Sequence, residues 1–359
     1  MKGYVWYSSG SDVTGPALAM ALGFSHGTKT PDFSKFDVVI GFGSKAGTKY
    51  NAETMKGLVE QRKLRLLNPV EAIEANRDKA GALTRLKAAG VSVAGHLVRA
   101  EKQTVLQFVS AISQAVHNGA LALPIVGSAR SQKGAPVFCH TMEEVRQALK
   151  GPRAEELQYF RSFCPGTEYR VHVLRDKPLF TQVKQPAKDP QAALTAELRA
   201  SLQRRMQKEE KKFSLNETTL DWALKQLTPE LLQGPGQMLR SLGRGWELAM
   251  AETTPAIAND VAVKALDALG LDMGAVSIEV DGTTARVTGI TTAPNLDNTQ
   301  MGLYVAQIKK FCSAKAEAEK KIPDLVADDA TPELMASLTR KLRGAKKEKL
   351  EAIAALLGD

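Results

Sequence analysis

The stretch from Ala265 to Tyr304, ALDALGLDMGAVSIEVDGTTARVTGITTAPNLDNTQMGLY, restricts the fold more than any other part of the chain. Its order reads helix, strand, turn, strand, loop. Val276–Val280 is β-rich and alternates, as a half-buried strand does. Asp281-Gly282 is a two-residue hairpin signal, because such turns need positive φ. Ala285–Ile290 reads as the return strand, and Thr292-Ala293-Pro294-Asn295 breaks it. An antiparallel hairpin behind a helix therefore anchors this part of the chain.

At 359 residues there is material for two domains or one multi-lobed domain. The chain is 43% hydrophobic and 24% charged, as in an ordinary globular protein. No run approaches the roughly 20 apolar residues of a membrane span. The opening residues MKGYVWYSSGSD lack the apolar core of a signal peptide, so a cytoplasmic location and no membrane partner are expected. Cys139, Cys164 and Cys312 are widely spaced with no C-x-x-C, which argues against a disulfide framework and a zinc site. A net charge of +9 suits a polyanion partner, and equally a basic solubilising surface. Nucleic acid is not favoured, since no basic motif is interleaved with aromatics.

Residues 1–75 read as a small α/β lobe. Gly3–Tyr7, Phe36–Gly41 and Leu64–Asn68 are strand candidates, and Thr14–Leu22 and Met55–Gln61 are helix candidates. Their alternation predicts a parallel sheet. Gly41-Phe42-Gly43-Ser44-Lys45 could cradle a phosphate or form a plain tight turn; it has no G-x-G-x-x-G or P-loop spacing.

Several segments together carry a resemblance. Asn68, Asp78-Lys79, Leu83, Leu86 and Gly90-Val91 follow one pattern. Pro124-Ile125-Val126, Ser131-Gln132 and Gly134 follow a second. Pro165-Gly166-Thr167-Glu168-Tyr169-Arg170-Val171-His172-Val173, ending at Lys184, is the most literal. Gly270-Leu271-Asp272, Gly274-Ala275-Val276 and Thr292-Ala293-Pro294 close the series. In this order they resemble the motifs of ATP-grasp carboxylate–amine ligases, above all phage-encoded and glutamate-ligase-like members. The resemblance spans about 68–187 and 244–310. It implies an α/β (α+β lobes) ATP-grasp fold. The expected parts are an N-terminal α/β lobe (1–75), a small subdomain (76–156), a large subdomain (157–312) and a helical basic tail (313–359). About 189–243 would be a charged helical insertion that the family does not explain.

The resemblance also implies roles. Lys79, Lys184 and Arg170 would reach the nucleotide phosphates, with Arg170 the catalytic candidate. The family's strand lysine falls on Gly127, so Arg130 and Lys133, with Gly134 in the same loop, are the expected replacements. His172 shares a strand face with Arg170 and reads as a packed structural histidine. The family's metal-binding Asp, Glu and Asn fall on Ser277, Gly289 and Thr291. Hard Mg²⁺ prefers carboxylate and phosphate oxygens, so ATP is the expected cofactor and Mg²⁺ is in doubt. Glu279, with Asp272 or Asp297, is the candidate substitute. The leading expectation is a nucleotide-binding or partner-binding protein with impaired catalysis, the protein partner meeting the insertion or the basic tail. The alternative is an active ligase working through an acyl phosphate.

Overall fold

The computed structural model describes residues 1–48, 50–61, 63–129, 136–189 and 246–327. The expectations attached to Arg130, Lys133, Gly134, most of the 189–243 insertion and the far tail lie outside these residues. The chain divides into two compact units, Met1–Tyr304 and Val305–Asp359. The first is a mixed α/β fold built on three sheets, one parallel and two antiparallel.

The first sheet has the order β2-β1-β3-β4 (Ser25–Gly27, Gly3–Tyr7, Val38–Phe42, Arg65–Leu67), all parallel. Helices α1 (Thr14–Leu22) and α2 (Ala52–Glu60) make the crossovers that parallel pairing requires. Val38–Phe42 is buried throughout, as expected of a strand covered on both faces. Trp6, Phe33, Val39, Met55, Leu64 and Val70 form the core of this sheet.

Helices α3 (Val70–Arg77) and α4 (Lys79–Ala88) follow. Asp78 caps α4 by accepting from the Gly81 N–H. The second sheet has the order β5-β8-β6-β7 (His96–Val98, Tyr159–Ser162, Ile125–Ser128, Val137–Cys139). It packs on α5 (Val105–His117) and α6 (Met142–Lys150) through Phe108, Ile112, Val145, Leu149 and Phe160. A reciprocal Thr104/Gln107 capping box starts α5.

The third sheet has the order β11-β10-β9-β12-β13 (Trp246–Met250, Lys177–Pro186, Thr167–Leu174, Met273–Asp281, Thr284–Thr291). Strict alternation gives it two unlike faces. Val171, Val173, Val276, Ile278 and Val287 lie against Ala258, Ala262, Ala265 and Leu266 of α7 (Ala256–Ala268) and against α4. The small alanines let α7 approach the sheet closely. The opposite face carries Glu168, Arg170, Lys184, Ser277 and Glu279. The β12–β13 loop residues are Gly282 and Thr283, one position later than the Asp-Gly signal suggests, with φ +56 at Gly282. The last described helix, α8 (Asn298–Ala327), is capped by Asp297, which accepts from the Gln300 N–H at 2.9 Å.

Candidate functional site

A cleft of about 270 Å³ opens on the polar face of the third sheet. Its floor is built in cross-strand rows. Arg170 sits opposite Ser277, and Ser277 opposite Gly289. The next row sets Glu168 opposite Glu279. A register shift beside Ser277 puts both Thr288 and Gly289 on the lining, with Thr291 beyond. Val126, Ser128, Tyr159, Arg161 and Phe163 of the second sheet and its flank form the facing wall, and Lys79 enters from the first turn of α4.

Two like charges directly opposite each other on a sheet repel. Here each carboxylate has its own cation. Lys184 Nζ donates to both oxygens of Glu168 at 2.9 Å, with both side chains about one-tenth exposed. Arg161 stands 3.6 Å from Glu279, whose side chain is 3% exposed. The Cys164 thiol also bonds to Glu279, and burial pushes it up to about 11, so it stays protonated at neutral pH. Lys79 and Arg170 have no ion-pair partner among the described residues, and Arg170 Nε is buried without a hydrogen bond. Burial pushes both basic groups below their ordinary values; for Lys79 the nearby Arg161 adds to it, while for Arg170 the Glu168 carboxylate partly offsets it. Four cations against two carboxylates leave an excess of positive charge in a shielded site. Such a site favours a polyanion, since desolvated cations gain most from an anionic ligand.

Of the residues singled out in the sequence, the structure brings Lys79, Arg170, Lys184, Ser277, Gly289, Thr291 and Glu279 to this cleft. It does not bring Asp272 there. The Asp272 carboxylate accepts from the Asn68 N–H at 2.8 Å, at the opposite end of β12 from Glu279. Seven residues of extended strand separate them by roughly 23 Å, so they cannot share one ion. Asp297 is spent on capping α8. The Gly41–Lys45 turn lies away from this cleft, tied to α3: Arg77 donates to the Gly43 and Ser44 carbonyls at 2.8 Å, and Glu74 accepts from the Ala46 N–H just after it. The reading of Gly127 also changes. A Cβ there would lie 2.6 Å from the Phe160 ring, in the packed core behind the sheet. The cleft-facing positions of β6 are Val126 and Ser128, and Arg161, directly across from Val126, supplies a cation on that face. Sequence reading missed Arg161 because the register of β6 against β8 has no local signature. Glu168 was visible inside its motif but carried no assignment.

His172 is fully buried on the same sheet face, further along β9. Its ring stacks on Phe180 at 4.1 Å, with Nδ1 3.1 Å from the Tyr304 hydroxyl and Nε2 3.0 Å from Gln182 Oε1. The consistent assignment has Tyr304 donating to Nδ1 and Nε2–H donating to Gln182. Burial keeps it neutral, down to about 4. It is a packing group that stiffens the strand bearing Arg170.

A divalent cation would meet few side-chain oxygens among the described residues of this cleft. Ser277, Thr288 and Thr291 offer hydroxyls and Gly289 offers nothing. Glu168 and Glu279 already face Lys184 and Arg161. Among the described residues no group of three metal-ligating side chains comes together. No described helix is long and apolar enough to cross a membrane.

No protein-family model and no curated protein matches the chain. Among solved structures it is similar to D-alanine–D-alanine ligase from Bacillus anthracis complexed with ATP, at 13% identity and TM-score 0.49, covering 84% of this chain and 88% of that one. It is similar to the ATP-grasp ligase PsnB complexed with a minimal precursor, at 12% identity and TM-score 0.48, covering 82% and 92%. It is also similar to a RimK domain ATP-grasp protein from Sphaerobacter thermophilus, at 12% identity and TM-score 0.48, covering 85% and 96%.

Proposed function

We propose that this chain is an ATP-grasp-type nucleotide-binding protein whose cleft takes a nucleoside polyphosphate between its two antiparallel sheets. The single observation that carries this is the excess of desolvated cations over carboxylates in one concave site. Lys79 has no carboxylate acting on it and Arg170 only Glu168, which Lys184 already pairs, a costly state for a protein that binds no anion. The remainder of the lining fits the rest of a nucleotide. Val126, Pro136, Tyr159 and Phe163 offer an apolar and aromatic wall for a base. In this reading Lys79 and Arg170 grip phosphate oxygens, while the Glu168–Lys184 pair holds two rigid polar ends for the sugar or the phosphates. When bound, the nucleotide would supply a transferable phosphoryl group.

Calorimetric titration of ATP and ADP, with Mg²⁺ and with chelator, tests the reading. Saturable binding that weakens in Arg170→Ala and Lys79→Ala supports it. No heat of binding at millimolar nucleotide rejects it. Turnover as a carboxylate–amine ligase is the second reading, favoured by two carboxylates on the floor of the same cleft. It requires ADP release that depends on a carboxylic acid and an amine, and phosphoryl transfer of that kind rests on electrostatic stabilisation of the transferring group. A screen that finds no such ADP release leaves the binding function alone.

A further inference from the structure

Glu279 is the one carboxylate on the β12 floor near Ser277 and Gly289, and its neighbour across the cleft is a guanidinium. We infer, resting on the nucleotide reading above, that Arg161 is a built-in counter-cation that takes the place of a divalent metal on Glu279, so that the cleft binds the phosphate chain without Mg²⁺.

Three observations support this. First, Arg161 comes from the second sheet and Glu279 from the third, so the 3.6 Å pair spans the cleft where a ligand's charge must be balanced. A guanidinium has several donors in a rigid fork, so one face can serve a carboxylate while others serve phosphate. Second, Arg161 is 18% exposed, buried enough to act at low dielectric and open enough to meet a ligand. Third, the positions that would complete a metal shell carry no carboxylate. Ser277 is a hydroxyl, and a Cβ built on Gly289 meets nothing within 4 Å, so the space is open but holds no ligand atom. Charges around Glu279 are accounted for from each side: Arg161 from β8, Arg286 beside it on β13, Glu168 opposite on β9, and the Cys164 thiol. Arg161 and Arg286 therefore already offset part of the Glu279 charge, and a dication placed there would meet their repulsion.

The test uses the full chain with two probes. Inorganic tripolyphosphate and ATP are titrated by calorimetry in chelator and in Mg²⁺, and Mn²⁺ binding is followed directly by electron paramagnetic resonance. The parent should bind both anions with affinities that agree within about threefold between the two conditions, and should bind no Mn²⁺ in the cleft. Arg161→Gln should lose about tenfold or more in chelator, the worth of one charge-assisted contact, and should gain one Mn²⁺ site. That site should vanish in Arg161→Gln/Glu279→Gln. Arg161→Lys keeps the charge but not the fork, so it should gain no Mn²⁺ site yet fall between the parent and Arg161→Gln in anion affinity. Should Arg161→Gln fail to fold, Glu279→Gln serves instead: it frees Arg161 and should tighten anion binding in chelator. Anion binding by the parent that requires Mg²⁺, or a parent Mn²⁺ site unchanged in Arg161→Gln, overturns the inference while leaving nucleotide binding intact. Failure of the parent to bind either anion rejects the nucleotide reading instead, and the Mn²⁺ measurements still decide the role of Arg161.

Discussion

Lys79→Met separates a ligand-binding lysine from a merely exposed one, because its two effects should have opposite signs. Lys79 sits at the first position of α4, held there by the Asp78 cap, and its ammonium points into a cleft that already holds Arg161. Without ligand the ammonium bears a desolvation cost and a like-charge repulsion, with no carboxylate to offset them. Met matches the length of the stem and removes the charge. Replacing an unpaired buried charge by a hydrophobe gains up to several kcal/mol. Partial exposure and solvent screening reduce this to about 1 kcal/mol here. For a chain of 359 residues that is roughly 1–2 °C in Tm. With ligand the sign reverses. A lost charge-assisted hydrogen bond to phosphate costs about 1.5–3 kcal/mol, or roughly 10–150-fold in Kd. Thermal unfolding without nucleotide and calorimetry with ATP are the two assays. A variant that melts lower than the parent and binds ATP equally well would refute the reasoning, and Lys79 would then be a packing residue.

Other expectations follow from specific contacts. Asn68 is buried at φ +57, its Oδ1 accepts from the Asp272 and Met273 N–H groups, and its Nδ2 donates to the Met273 carbonyl; Asn68→Ala should cost about 3–5 kcal/mol in urea unfolding, and Asn68→Gly about 1 kcal/mol less, since glycine tolerates the left-handed backbone. His172 is neutral when folded down to about 4 and protonates near 6.5 when unfolded, so the unfolded state binds the extra proton and stability falls as pH drops from 6.5 towards 4. The loss is up to about 3 kcal/mol; urea midpoints across that range check it, and a flat profile contradicts the neutral assignment. Ser277→Asp with Gly289→Glu should create a Mg²⁺ site, because the two positions face each other across the strands and Gly289 has open space; a Tm that rises with added Mg²⁺ in the double variant and not in the parent is the expected result.

Local chemistry made much of the fold legible. The β12–β13 hairpin, the α4 start at Asp78-Lys79 and strands β1, β3 and β4 of the first sheet were signalled by residue type and spacing. Lys79, Arg170 and Lys184 were singled out by the resemblance alone; they lie more than 100 residues apart in the chain at their extremes yet line one cleft. Long-range register was not legible. Gly127 lay one residue out of phase with the cleft face, and a one-residue shift on a strand exchanges core for cleft. Asp272 looked like an available carboxylate because its partner, Asn68, is 204 residues away. The β2 strand at Ser25–Gly27 was missed because it is short, and its exposed-to-intermediate residues show no apolar alternation.

Arg161 shows why a missing ligand in a sequence does not by itself report a missing function. Sequence comparison tests a position; charge balance belongs to a volume. The carboxylates on the third sheet need cations, and those can come from a metal, from the same strand, or from a facing sheet far away in the chain. Here Lys184 serves Glu168 across adjacent strands, while Arg161 serves Glu279 across the cleft. Ser277 and Gly289 add no negative charge to the floor, and Arg161 facing Glu279 adds positive charge to the wall. Both features act in the same direction: they weaken the hold on a dication and strengthen the hold on a bare phosphate chain. Reversing only one wall, by Arg161→Gln or by Ser277→Asp with Gly289→Glu, should therefore move metal affinity up and metal-free anion affinity down together. The two affinities moving independently would mean that the walls are not coupled through the ligand's charge.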